Sequence, residues 1–186
     1  MYTSFHIENF RLFDTLDIEH LARVNLITGR NNSGKTSLLE AVFVHGGGYM
    51  PELVLRLHAL RGHSQFRYDL SPTGRGPWDS AFHEFDSSRE IVIKSQYLKG
   101  TRTQTIKVLR TPEEIKASGV VIPRQSQNGG EVVTALSSEA VLILELRYQT
   151  DDQDVRFHAY VDKDGIRFDP TPNPRFPGHF LRGSRA

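Results

Sequence analysis

The chain has 186 residues, the size of one domain or of one domain with an appendage, and its 23 Lys and Arg against 22 Asp and Glu leave +1, which excludes a global field toward nucleic acid or acidic lipid. It has no cysteine, so a disulfide framework and thiolate zinc sites are excluded and a cytoplasmic setting is the simple expectation. With 38% hydrophobic residues and 11 Phe it has material for a core, while no apolar run reaches the ~18 residues that span a bilayer and the MYTSFHIENFR start lacks the regions of a leader, so a soluble, unprocessed chain without membrane contact is expected.

Residues 2–8 alternate partly between apolar and polar, and residues 12–18 alternate again after Asn9-Phe10-Arg11, which predicts an opening β-hairpin. Val24-Asn25-Leu26-Ile27-Thr28 is a short apolar run ending at Gly29, the pattern of a buried parallel strand covered on both faces. Then comes GRNNSGKTSLLEAVFVHGGG. Residues 37–44 place Leu38, Leu39, Val42 and Phe43 at helical spacing, and Gly46-Gly47-Gly48 stops them. Residues 51–60 predict a second helix, with Pro51 early, a stripe of Leu53, Val54, Leu57 and Leu60, and Gly62 closing it. Residues 63–80 read as irregular, carrying the turn signals Ser71-Pro72-Thr73-Gly74 and Gly76-Pro77.

From about Glu90 the period changes to that of strands, at residues 91–94, 103–109, 141–148, 155–161 and 166–168, with Lys163-Asp164-Gly165 as a tight turn. That half predicts an antiparallel sheet. Residues 111–130 are polar and broken by Pro112, Gly119, Pro123 and Gly129-Gly130, which reads as a mobile loop. The tail from Asp169 carries Pro170, Pro172, Pro174 and Pro177 and no recognisable element.

Gly29-Arg30-Asn31-Asn32-Ser33-Gly34-Lys35-Thr36 satisfies G-x-x-x-x-G-K-[ST], the phosphate-binding P-loop or Walker A pattern. Such a loop follows a strand and opens a helix, because its backbone N–H groups and the helix N-terminus together cradle phosphates, and both neighbours are expected here. Gly29 and Gly34 permit close backbone approach, Lys35 would lie against the β- and γ-phosphates, and the Thr36 hydroxyl would ligate Mg²⁺. The plainer reading is a glycine-rich turn capped by Ser33.

Phe5-His6-Ile7-Glu8-Asn9-Phe10-Arg11, Leu16-Asp17-Ile18-Glu19 and the run from Val24 through Lys35-Thr36-Ser37-Leu38-Leu39-Glu40-Ala41 resemble the amino-terminal start of ABC-type ATPases of the SMC, RecF and OLD-like group. Pro51-Glu52-Leu53, Arg61-Gly62 and WDSAFHEF at residues 78–85 are similar to its bacterial AAA-family members. The resemblance covers about the first 95 residues closely and the rest only as the family's antiparallel β-subdomain. It implies that Asn31, Asn32 and Ser33 to Ser37 wrap the phosphates of ATP, and that Arg11 comes within reach of the nucleotide. An exposed turn arginine that is merely solvated is the competing reading of Arg11.

In that group hydrolysis also requires a Leu-Ser-Gly-Gly-like signature, a Walker B strand ending in Asp-Glu, and a switch histidine. Ser126-Gln127-Asn128-Gly129-Gly130-Glu131 lacks the signature leucine. Val141-Leu142-Ile143-Leu144-Glu145 lacks the acidic pair and leads into the next hairpin strand, so a β-meander accounts for it. The expectation is an amino-terminal lobe whose signature and Walker B lie elsewhere, in a truncated chain or one half of a split protein. The eight histidines show no i, i+4 metal pair with a nearby carboxylate. Asp151, Asp152 and Asp154 read as an acidic hairpin loop, and Arg102, Lys107, Arg110, Lys116 and Arg124 as a solvated basic face.

The sequence therefore predicts an α/β P-loop fold: a parallel strand, P-loop and helix core flanked by an antiparallel β-subdomain, one nucleotide-binding lobe over residues 1–186. Within it, residues 1–62 hold the hairpin, P-loop and helices, residues 90–168 the β-rich part and residues 169–186 the Pro-rich tail. The expected cofactors are ATP and Mg²⁺. The expected partners are a second copy or a chain with the complementary lobe and a nuclease effector, with DNA engaged only by the assembled, ATP-closed complex. The resemblance places that machine in DNA repair or phage defence. The rivals are a nucleotide-sensing assembly module that never hydrolyses ATP and, without an Asn-Lys-x-Asp motif or a lid-like arginine cluster to favour it, a GTPase-like or kinase-like enzyme.

Overall fold

In the computed structural model, residues 1–62, 76–120, 123–125, 131–133, 142–162 and 165–168 are described. The expected tail from residue 169, the signature-like residues 126–130, Val141 and the turn residues 163–164 lie outside them. The chain opens with strands β1 (Tyr2–Phe10) and β2 (Phe13–Ile18), then helices α1 (Lys35–Gly46) and α2 (Glu52–Leu60) and two 3₁₀ turns at Asp79–Ala81 and His83–Phe85. Strands β3 (Ile91–Tyr97) and β4 (Gly100–Leu109), helix α3 (Pro112–Ser118), the short strands β5 (Pro123–Gln125) and β6 (Glu131–Val133), and strands β7 (Leu142–Thr150), β8 (Asp154–Asp162) and β9 (Gly165–Phe168) follow.

Seven strands form one sheet in the order β2-β1-β3-β4-β7-β8-β9, and β5 pairs with β6 separately. Among the described residues every strand pairing is antiparallel. The period-2 pattern explains this sheet. Its register aligns Leu16, Ile7, Ile93, Gln104 and Tyr148 across five strands, with Ile91, Ile106, Leu146 and Phe157 in a neighbouring row. That face packs on the helices and holds most of the buried core, including Phe5, Ile7, Ile93, Ile106, Leu146 and Phe157, with Val44, Val54, Leu57 and Trp78 laid over it. The opposite face carries Glu8, Lys94, Thr103, Thr105, Lys107, Glu145, Arg147 and Gln149, and at one end α3 packs on it through Ile115 against Leu109, Ile143 and Tyr160.

Helix α1 is tied to the sheet at its C-terminal end. Buried Gln104 donates to the carbonyls of Gly48 (2.9 Å) and Val44 (3.4 Å), satisfying groups that a helix end leaves open. Buried His45 shares a 2.8 Å hydrogen bond between Nε2 and Ser95 Oγ and meets the Phe5 ring edge-on at 5.2 Å. Burial pushes its pKa down to about 3, so the imidazole is neutral.

Two expectations are corrected here. Residues 24–28 do not form a strand and the parallel core is absent from the described residues: this segment is open chain, with Val24 and Leu26 each 88% exposed. Among the described residues no strand of the sheet pairs with it, and Asn25 folds back locally, accepting from Ala22 N (2.9 Å) and donating to Ala22 O (2.8 Å). Residues 111–130 are not simply a loop, because α3 forms within them. Thr111 accepts from Glu114 N, the Glu114 carboxylate accepts from Thr111 N, Pro112 opens the helix and Gly119 (φ 70°) ends it, a complete capping box.

Candidate nucleotide site

The glycine loop runs from Gly29 into α1, which starts at Lys35. Asn32 (φ 62°) and Gly34 (φ 90°) take left-handed backbone angles that Asn and Gly tolerate best. Gly34 is required twice over. Besides its φ, a Cβ there would come within 2.9 Å of the Phe13 ring and 3.1 Å of Leu12 Cδ2, so the β1–β2 turn leans directly on the loop.

Helix α1 has no side-chain cap at its N-terminus and no acidic residue in its first turn. Its first N–H groups and the positive end of its dipole are thus left for an anion, where most helices place Ser, Thr, Asp or Asn. The Lys35 ammonium arches over the loop and donates to the carbonyls of Gly29 (2.8 Å) and Arg30 (2.6 Å). Thr36 is exposed and Ser37 is buried on the sheet side of the helix. The residues present fit a nucleotide phosphate chain: an open helix N-terminus, a loop cradle with no side chain at Gly34, and one flexible cation above it.

Arg11 is not a solvated turn residue. Its own φ is 54°, its side chain is 8% exposed, and Asn9 and Phe10 before it are buried. Asn9 Nδ2 donates to the carbonyls of Arg89 (3.0 Å) and Asp86 (3.3 Å), while Arg11 N donates to Ala81 O (2.8 Å) and His83 Nδ1 meets Arg11 O at 3.0 Å, so residues 78–90 lock the turn. The Arg11 guanidinium donates through Nη1 to Ser80 O (2.5 Å) and lies 3.1 Å from Glu40 of α1.

Sequence reasoning missed Glu40 and its second partner. Glu40 is 4% exposed and receives a two-pronged hydrogen bond from Arg61, Nε to Oε1 at 2.7 Å and Nη2 to Oε2 at 2.9 Å. The available signal was the helical position: Glu40 falls between Ser37 and Val44 on the side of α1 that turns inward, where a carboxylate is rarely buried without a cation. Glu145 is far from this chemistry. It projects from the sheet face opposite α1 and lies beside His158 (3.4 Å) and Arg156 (3.7 Å), partners that hold its pKa below the usual carboxylate range, His158 foremost. A general base for the loop cannot come from it, and β7 and β8 form the meander hairpin expected.

A family model described as AAA domain matches residues 4–154. The chain belongs to this AAA-domain family. The DNA replication and repair protein RecF of Actinobacillus pleuropneumoniae is 55% identical over 42 residues, 23% of this chain and 12% of that protein. The same-named proteins of Pasteurella multocida and Clostridium acetobutylicum are 52% identical over 42 residues and 42% identical over 38 residues, 12% and 10% of their lengths. The chain thus matches about a tenth of the length of these relatives. No solved structure matches it. Among the described residues no helix is long and apolar enough to cross a membrane, and no group of three or more His, Cys, Asp or Glu could hold a metal ion.

Proposed function

We propose that this chain is the nucleotide-binding lobe of a RecF-like ATPase and holds Mg-ATP on residues 29–37. The observation that carries the reading is the uncapped N-terminus of α1 behind a loop whose Gly34 has no room for a side chain. The N–H groups of residues 33–37, with Asn31 and Asn32, surround the phosphates, and Lys35 leaves the carbonyls of Gly29 and Arg30 to meet the β- and γ-phosphates. The Thr36 hydroxyl holds Mg²⁺, which when bound offsets the charge of the β- and γ-phosphates. Arg11 approaches from the β1–β2 turn, which already touches Gly34 through Leu12 and Phe13.

The work of this lobe is proposed to lie in DNA replication and repair, as the names of its RecF relatives state for them, or in phage defence, in the cytoplasm. It acts with a second copy or with a chain bearing the signature and Walker B motifs, and with a nuclease effector. DNA is engaged by the assembled complex, since a net charge of +1 gives the lone chain little to neutralise phosphates.

A second reading, a nucleotide sensor that assembles on ATP without turning it over, is favoured by the placement of Glu145 on the far face of the sheet. The test is paired calorimetry and phosphate-release kinetics on the purified chain with Mg-ATP. Binding without turnover is expected, and turnover abolished by Lys35→Ala would show that a carboxylate of this chain serves the reaction after all.

A further inference from the structure

In the triad of Arg11, Glu40 and Arg61, the first two side chains are buried and that of Arg61 is 39% exposed, and the carboxylate is unevenly shared. Arg61 takes both carboxylate oxygens of Glu40 in fork geometry, whereas Arg11 lies beside Oε2 with its Nε and Nη2 hydrogens unpartnered, although both nitrogens are buried. Because Arg61 reaches solvent while Arg11 and Glu40 do not, the shortage of acceptors falls on the buried Arg11 donors, which is unfavourable unless an anion completes them. Glu40 stands four residues after Thr36 on the same side of α1, a rise of about 6 Å, and residues 12 and 13 of the turn carrying Arg11 pack on Gly34. Glu40, whose Oε2 lies 3.1 Å from Arg11 Nε, thus stands one helical turn from the expected Mg²⁺ ligand.

We propose that Arg61 is a positioning residue: by occupying both oxygens of Glu40 it keeps the Arg11 donors unbound and available to the terminal phosphate of the nucleotide. The proposal rests on residues 29–37 being the nucleotide site. Without Arg61, Glu40 would turn its full fork-accepting capacity on Arg11, and the carboxylate would compete with the phosphate for the same donors. Arg61 is held firmly, its pKa raised chiefly by the hydrogen bonds to Glu40, while burial lowers that of Arg11.

The experiment is calorimetric titration of the full chain with Mg-ATP and Mg-ADP, for wild type, Arg61→Ala, Arg11→Ala, the double variant, and Arg61→Ala with Glu40→Gln. Arg61→Ala should weaken ATP by about tenfold, the scale of one charge-assisted hydrogen bond, and ADP by much less. Adding Arg61→Ala to Arg11→Ala should change nothing further, and Glu40→Gln should restore ATP affinity to Arg61→Ala. Arginine side-chain NMR supplies a readout without ligand: the Arg11 Nε–H resonance should move downfield in Arg61→Ala as Glu40 captures it. Unchanged ATP affinity, an equal loss for ATP and ADP, or a loss that persists without Arg11 would overturn the proposal. If Arg61→Ala does not fold, Arg61→Lys decides by the same criteria, because one ammonium cannot engage both oxygens. If Lys35→Ala leaves ATP binding intact, the nucleotide reading itself fails, and this proposal with it.

Discussion

Removing the Lys35 ammonium tests the nucleotide site most directly, and the structure sets the size of the effect. Truncating one side of a desolvated charge pair costs about 2 to 4 kcal/mol of binding. Part of that is offset, because in the free protein the ammonium already donates to the carbonyls of Gly29 and Arg30 and must give them up to reach phosphate. Those two bonds are exposed, so together they are worth about 1 kcal/mol. The net loss for Lys35→Ala is then about 1 to 3 kcal/mol, or roughly 5- to 150-fold in dissociation constant. Stability should fall by no more than about 1 kcal/mol, the value of the two exposed hydrogen bonds that are lost. Calorimetry at fixed Mg²⁺ and ionic strength, with a urea melt as control, measures both. Equal ATP affinity in wild type and Lys35→Ala would refute the reasoning, and a large loss of stability would show that the lysine is a structural strut of the loop.

Gly34→Ala should destabilise the chain by about 1 to 3 kcal/mol through its left-handed φ and the Phe13 contact, and should lower ATP affinity; thermal melts with the relief variant Gly34→Ala/Phe13→Ala measure the share due to the ring. The native pKa of His45, about 3, lies below its unfolded value near 6.5, so its contribution to stability is complete above pH 6.5 and declines as pH falls toward 3, by at most about 1.4 kcal/mol per pH unit. Urea midpoints between pH 7 and pH 4 should show that decline, and His45→Gln should flatten it. Leu26→Asp and Phe43→Lys, at exposed positions, should reduce self-association in light scattering while leaving the melting temperature near wild type, and a strict monomer for wild type at high concentration with and without ATP would count against assembly.

The parts of this fold that were legible in the sequence are those whose causes are local. Alternation over residues 2–18, 91–109 and 142–168 is enough for the hairpins β1–β2, β3–β4 and β7–β8–β9, whose strands pair with the next in the chain, whereas the pairings β1–β3 and β4–β7 join strands far apart in sequence. The glycines around the loop and at Gly46-Gly47-Gly48 bound α1 from either side. Helix α3 was also legible, in the Thr111-Pro112-Glu113-Glu114 capping box, but polar composition argued for a loop and masked it. Residues 24–28 show the reverse. Their β-branched, apolar pattern is that of a strand, yet a strand exists only when something pairs with it, and propensity carries no information about the neighbour. The charge network at Glu40 was hidden for the same reason: Arg11, Glu40 and Arg61 are far apart in sequence, and their meeting is decided by the packing of α2 and the β1–β2 turn on α1.

Helix α1 joins these two halves of the account. Ala41, Val44 and His45 turn one side of it into the antiparallel sheet, while Leu39 (59% exposed), Val42 and Phe43 line the other side, next in the chain to a segment where Val24 and Leu26 also lie open. A helix apolar on both sides suits the interior of a layered structure, so on the proposed reading the glycine loop would stand at the seam between the layer that is formed and a covering partner. Residues 24–28 enter the loop and α1 leaves it, so a cover that orders both would fix the loop at its two ends before phosphate arrives. Less conformational freedom would then remain to be lost on binding nucleotide, and affinity would rise with the cover in place. Linkage makes this reciprocal: by the same free energy, nucleotide on the loop strengthens the hold of the cover. On the proposed reading, ATP would be coupled to assembly by where the loop sits in the chain, with no separate relay between the two sites.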